Sequence, residues 1–180
     1  MLKHNNRNRW LMLPLLLLMP GFLSCQGEAE RPVLPDVYQW QEAFIESNKY
    51  LNILEEEAID DFIERFGWEM QRTGTGLRYK IDRKGEGPNV AYGDLVVVNY
   101  TVYLMTGDPV YSSANDEPLV FVAGRGGVES GLEEGIRLLN NKAMATFILP
   151  SYLAHGLPGD GHKIPRRSAI IYEIEVMGIY

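Results

Sequence analysis

Cysteine is nearly absent from this chain: Cys25 stands alone among 180 residues, so no intramolecular disulfide can form. Histidine is almost as scarce. His155, Asp160 and His162 form an H-x4-D-x-H pattern, but the one other histidine is His4 and no further cysteine donor is at hand. That leaves the tetrahedral set of a structural metal incomplete, and no metal is expected. Serines such as Ser112 and Ser151 have no paired base and acid, so nucleophilic catalysis is unsupported. The GRGG run beginning at Gly124 lacks the Lys-Ser/Thr ending and spacing of a phosphate loop and reads as a turn. Positive charge is also short. Seventeen Lys and Arg face 24 Asp and Glu, a net charge of -7, which argues against a nucleic-acid partner because polyanions bind basic surfaces. The apolar run from Trp10 to Phe22 is interrupted by Pro14 and Pro20. It falls short of the roughly 20 residues a membrane-spanning helix needs.

What is there begins with a targeting pattern. A basic stretch ends at Arg9, the apolar run follows, and then come Leu23, Ser24 and Cys25. This resembles a bacterial lipoprotein signal. Residues 1–24 would then be removed and Cys25 would carry the lipid; an unmodified cysteine is the plain alternative. Two thioether-linked acyl chains and a third on the new amino group would anchor the chain durably, at about 0.8 kcal/mol per buried methylene. Gln26 stands where an Asp would favour retention at the inner membrane, so the expected location is the cell envelope, lipid-anchored at the outer membrane and facing the periplasm. Glu28 and Glu30 resemble surface-export signals, or are simply solvated chain, and leave the facing open. Residues 25–36 include two prolines and four charges without apolar periodicity and read as an extended tether.

Residues 37–68 change the pattern to an amphipathic helix. Trp40, Phe44, Ser47, Leu51, Leu54, Ala58, Phe62 and Phe66 recur at three- and four-residue spacing, with Glu46, Glu55, Glu56 and Glu57 between them. Asp36 is placed to cap its start and Gly67 to stop it. Such a helix is about 45 Å long, and its apolar stripe needs a cover. Folding back on the rest of the chain is one solution, and pairing with a second copy in a homodimer is the other. Asp60, Asp61 and Glu64 read as a solvated helix face.

From Gly74 the period becomes two. Leu77, Tyr79 and Ile81 alternate with Arg78, Lys80 and Asp82, which predicts a strand with one buried face. The run from Gly85 to Asp94, GEGPNVAYGD, reads as a turn-rich link. Leu95 to Met105, Leu119 to Val122, Ala143 to Leu149 and Ala169 to Val176 supply further strands, with glycines punctuating the approach to one short helix. An α+β domain follows: an antiparallel sheet curled around a short helix, preceded by a helical extension.

Six blocks occur in a fixed order: VVVNYTVYL from Val96, TGDPVYSS from Thr106, PLVFVAG from Pro118, VESGLEEGI from Val128, PSYLAHG from Pro150 and IPRRSAIIYEIEV from Ile164. Together they resemble the FK506-binding-protein (FKBP) family of prolyl isomerases over residues 76–180. The resemblance implies peptidyl-prolyl cis-trans isomerisation with no cofactor, acting on proline-containing unfolded or exported proteins. It places Tyr100, Leu132, His155 and Tyr172 at the catalytic positions and Val110, Tyr111, Leu119, Phe121, Val128, Glu129 and Ile164 at substrate-binding ones. Several depart from the family pattern. Tyr111 stands where an Asp is usual, Leu132 where a Trp forms the pocket floor, and Val110 and Leu119 where aromatics are common. Glu129 replaces the Ile of a Val-Ile pair, though its backbone N–H can still serve a bound carbonyl. His155 replaces a Tyr and Tyr172 a Phe. An aliphatic, shallower pocket is expected, with weakened catalysis. The missing Asp and Trp favour an alternative, a catalytically weak or inactive FKBP-like chaperone or assembly module. The order of lipobox, acidic helix and divergent domain is similar to the FKBP-like lipoproteins associated with gliding motility.

Overall fold

The computed structural model describes residues 37–180; the signal segment, Cys25, the tether and Asp36 lie outside the described residues. Helix α1 spans Val37–Phe66 and ends where Gly67 adopts φ 64, a left-handed conformation that glycine enters without steric cost. The Gly67 N–H donates to Glu64 at 3.1 Å and the Trp68 N–H to Ile63 at 3.0 Å. These are the paired bonds of a Schellman stop. Its usual hydrophobic clasp is present as well, Trp68 meeting Phe62 edge to face at 5.5 Å.

The strands are β1 (Gln71–Arg72), β2 (Arg78–Arg83), β3 (Glu86–Asn89), β4 (Leu95–Leu104), β5 (Pro109–Ser112), β6 (Leu119–Val122), β7 (Asn140–Asn141), β8 (Met144–Leu149) and β9 (Ile170–Ile179). Seven make one antiparallel sheet in the order β1-β2-β8-β9-β4-β5, with β6 also on β4, and β3 pairs with β7 separately. The long β4 serves two partners along one edge. Its first half pairs with β6 and its second with β5, Val98 opposite Leu119 and Thr101 opposite Ser112. The chain therefore loops out at residues 113–118, and Tyr100 sits at that gap, its N–H donating to the Ser113 hydroxyl at 3.0 Å.

Side-chain alternation on β8 and β9 divides the core between two faces. Phe147, Leu149, Ile170, Tyr172 and Ile174 point to the larger cluster, which short helix α2 (Ser130–Ile136) covers. A Cβ on Gly131 would come within 2.6 Å of Leu149 and one on Gly135 within 2.7 Å of Phe147, so the two glycines, one turn apart, let α2 lie on β8. Ile148 and Ile171 point to the other face, where Ile59 joins them, flanked by Phe62, Ile63 and Trp68.

The structure departs from expectation in four places. First, the cover for α1 divides along its length. The helix is one piece, and its C-terminal part docks on the sheet through Ile59, which is 1% exposed, whereas Trp40, Phe44, Leu51 and Leu54 of the stripe remain exposed. Second, the docking face carries acids. Glu55 accepts from the Ser151 N–H at 2.8 Å and hydroxyl at 2.7 Å. Glu56 receives Arg78, Arg72 and the Tyr152 hydroxyl. Third, β2 does not alternate as its apolar pattern predicts. Arg78 is buried, with Asp60 at 2.7 Å, while Ile81 is exposed, because the face of β2 opposite Leu77 meets the helix acids instead of water. Burial opposes the Arg78 charge, but hydrogen bonds to Asp60 and Glu56 outweigh it and raise its pKa. Fourth, GEGPNVAYGD contains strand β3. It pairs antiparallel with β7, and the Asn140 side chain adds to that contact, accepting from the Gly85 N–H at 2.9 Å and donating to the Gly87 carbonyl at 3.2 Å. β1 also enters the sheet ahead of residue 76.

Candidate functional site: an apolar cavity beside helix α2

A cavity of about 650 Å³ opens between β4, β9, the approach to α2 and the loop of residues 154–164. Tyr100, Leu119, Val128, Ile164 and Tyr172 supply most of its apolar wall, and Tyr111, Glu129 and His155 add polar groups. The structure brings these eight, which come from separate blocks of the sequence, to one cavity. Three others are not on its wall. Leu132 is 0% exposed, and Val110 and Phe121 are also buried in the main core, behind the lining residues. Leu132 therefore packs inside the core and does not line the cavity.

The approach to α2 is held by its own helix. Glu133 accepts from the Gly124 N–H at 2.6 Å and the Gly126 N–H at 2.9 Å, so two donors of the GRGG turn are engaged by the helix they precede. Glu129 follows as the N-cap of α2, yet its side chain makes no capping bond. Its Oε1 accepts instead from the Tyr172 hydroxyl at 3.1 Å and lies 3.0 Å from Nε2 of His155. Tyr172 is buried, and that burial, together with the Glu129 charge and hydrogen bond, pushes its pKa well up and keeps the phenol protonated. The Tyr100 and Tyr172 rings stand 6.2 Å apart. Burial, then the charges of Asp116 and Glu129, raise the Tyr100 pKa. Among the described residues, none accepts from the Tyr100 hydroxyl or from the Glu129 N–H. Both donors are free for a ligand.

Residues missed as site candidates are Val102, Gly127, Ala154, Asp160 and His162. Asp160 and His162 had a signal, the H-x4-D-x-H spacing, and the structure brings them to the cavity with His155. The Asp160 oxygens are already taken. They accept from the Tyr111 hydroxyl and from the N–H groups of His162 at 2.8 Å and Ile164 at 2.9 Å. Burial would raise the Asp160 pKa, but these bonds outweigh it and hold the carboxyl well below the usual range. Asp160 is thus the brace of the cavity loop. No cluster of His, Cys, Asp and Glu suited to a metal occurs among the described residues. Tyr111 reaches Asp160 through its hydroxyl, and both residues line the cavity.

Comparison with known proteins gives the same architecture. The family model for FKBP-type peptidyl-prolyl cis-trans isomerases matches residues 87–177. A probable FKBP-type isomerase FkpA of Neisseria meningitidis is 35% identical over 111 residues, 61% of this chain and 40% of that protein; the chain thus spans two fifths of that relative's length. Among solved structures, FkpA from Escherichia coli superposes with a TM-score of 0.61 at 27% identity, over 84% of this chain and 76% of that one. AtFKBP13 superposes with a TM-score of 0.58 at 30% identity, over 62% of this chain and 99% of that one. The wider reach of the first superposition takes in part of the chain ahead of the residues matched by the family model. With the cavity, the sheet order and the family match in agreement, this chain belongs to the FKBP-type peptidyl-prolyl cis-trans isomerase family, an enzyme class.

Proposed function

We propose that the chain accelerates cis-trans isomerisation of X-Pro bonds in exported proteins of the cell envelope. The observation that carries this reading is an apolar cavity with two unengaged donors, the Tyr100 hydroxyl and the Glu129 N–H. Amide resonance sets a barrier of about 18–20 kcal/mol to rotation. The twisted amide has lost that resonance and is the less polar state. Walls formed by Leu119, Val128, Ile164 and Tyr172 grip the proline ring and exclude water, which favours the twisted state over the planar one. A hydrogen bond from Glu129 N–H fixes a substrate carbonyl, and the Tyr100 hydroxyl is the second point of attachment. No group needs to donate or accept electrons.

The N-terminal pattern supports attachment at Cys25 after removal of residues 1–24, with palmitate-type chains holding the domain at the outer membrane, on its periplasmic side. Among the described residues no helix is long and apolar enough to cross a membrane. The exposed Trp40, Phe44, Leu51 and Leu54 support pairing with a second copy through α1. The second reading, a weak or inactive assembly module of a surface machine such as a motility apparatus, is favoured by one observation. Leu132 lies wholly in the core, so the pocket has no aromatic floor.

The deciding experiment measures isomerisation of short X-Pro peptides by exchange spectroscopy, and of a proline-limited refolding protein. Wild type accelerates both, and Tyr100→Ala lowers kcat/KM about tenfold or more, a loss of about 1.4 kcal/mol in transition-state binding, with an unchanged circular-dichroism spectrum. Rates equal to buffer on both substrates overturn the isomerase reading. Suppressed aggregation of a proline-free client would then support the assembly module.

A further inference from the structure

The pocket's charges point to the X-Pro segments it takes, an inference that rests on the isomerase reading above. Glu129 is the residue concerned. At an N-cap a side-chain oxygen ordinarily accepts from the first helical turn, yet Glu129 forgoes that bond and turns its carboxylate to the cavity. Oε1 is engaged by Tyr172 and His155, whereas Oε2 accepts from none of the described residues. The side chain is only 14% exposed, so most of its hydration has been removed.

The groups around it do not cancel its charge. Tyr100 and Tyr172, from β4 and β9, are neutral phenols. Asp160, on the loop, is a second carboxylate, and Asp116 adds negative potential at both Tyr100 and Tyr111. Lys163 is occupied elsewhere. Its ammonium donates to the Val110 carbonyl at 2.7 Å and stands over the Tyr111 ring at 4.9 Å. His155 and His162 complete the set, with Nε2 of His155 standing 3.0 Å from Oε1. A partly desolvated carboxylate with one unengaged oxygen gains most from a cation.

We propose that Glu129 makes this pocket select X-Pro segments in which a residue flanking the proline is Lys or Arg. The cationic head pairs with Oε2 of Glu129, its methylene stem lies along the apolar wall, and the proline ring enters between Leu119, Val128 and Ile164. A flanking Asp or Glu meets like charge and is rejected.

The test uses the full chain in detergent with peptides of one frame, carrying Lys, Arg, Leu or Glu before the proline, and a second series after it. Exchange spectroscopy at about pH 8, above the ordinary imidazole range, gives turnover and Kd in the same samples. In one of the two series, the Lys and Arg peptides are expected to exceed the Glu peptide about fivefold in kcat/KM at low salt, the ratio shrinking as salt rises. Glu129→Gln, which keeps the acceptor for Tyr172, should bring that ratio towards one. A Lys-to-Glu ratio unchanged by Glu129→Gln, or a wild-type preference for Leu over both cations, overturns the proposal. If no peptide turns over, the isomerase reading fails, and the Kd values still decide charge selection. Tighter Lys binding lost in Glu129→Gln sustains it, and equal Kd values sink it.

Discussion

Asp160 carries the clearest consequence at the scale of single residues. Sequence spacing singles it out beside two histidines, as a fragment of a metal site, but its oxygens serve Tyr111 and the backbone of its own loop. Its pKa in the folded chain lies below the reference value of 3.8. The ionised form is therefore favoured by folding, and the stability it brings is complete above pH 3.8 and is lost as pH falls through the lower folded value. Asp160→Asn should melt below wild type near neutral pH, and the gap in Tm should close as the pH is taken below 3.8. A gap that stays constant across a thermal melt series from neutral to strongly acid pH would show that the carboxylate charge contributes nothing. The same residue shows where motif reading runs out. Spacing along a chain says which groups can converge, but what they bind depends on the donors that folding brings to them, here a tyrosine 49 positions earlier.

At the scale of elements, the attachment of α1 rests on a polar contact that its apolar pattern conceals. The apolar stripe predicts the buried side of the helix, and its Phe62 packs at the docking contact, but Trp40, Phe44, Leu51 and Leu54 stay exposed and the contact also takes in Glu55, Glu56 and Ile59. Arg78 is the partner that makes this workable, since it meets Glu56 and Asp60 together from a strand that buries it. Removing Arg78 returns Asp60, 57% exposed, to water and leaves Glu56, 15% exposed, with Arg72 and Tyr152 as its partners, so the cost is that of one part-buried charge losing a partner, about 2 kcal/mol. Arg78→Met should lower stability in urea by about that amount and raise amide exchange in the last turns of α1, while Glu57→Gln, on the exposed side, should change it by less than about 0.5 kcal/mol. Equal effects from the two would remove Arg78 from its place as the anchor. Short helix α2 was more legible. Gly131 and Gly135 stand one turn apart inside a strongly patterned block, and their spacing matches the close approach to Leu149 and Phe147.

At the scale of the described residues, 37–180, the main sheet has one face closed by α2 and the other only partly by α1. The outer face of β9 reads Ile171, Glu173, Glu175 and Met177, and only Ile171 is buried among these. Its acids begin where the helix no longer covers the sheet. The half of α1 that projects beyond this contact keeps several large apolar side chains exposed, and pairing with a second copy is the cover we propose for it. Sedimentation velocity of the chain in detergent should give a dimer. Replacing Trp40, Phe44, Leu51 and Leu54 together by Gln should give a monomer with urea stability of the sheet domain unchanged within about 1 kcal/mol, since these side chains bury little in the single chain. A wild-type monomer across the concentration range would remove this cover from consideration.

Much of the molecule follows from local chemistry that any stretch of chain carries with it. Resemblance of the ordered blocks to the family points to Tyr100, Glu129, His155 and Tyr172, whereas local chemistry stops α1 at Gly67 and marks β4, β8 and β9 by their apolar, β-branched runs. These local features depend on backbone preference and on side-chain pattern, both of which act over a few residues. Other features depend on contacts between distant segments. Arg78 is buried because Glu56 and Asp60 face it, β3 forms because the distant β7 pairs with it, and Leu132 is drawn into the core instead of lining the cavity. Burial and hydrogen-bond partnership belong to pairs of groups, and the pairs exist only once the chain has folded.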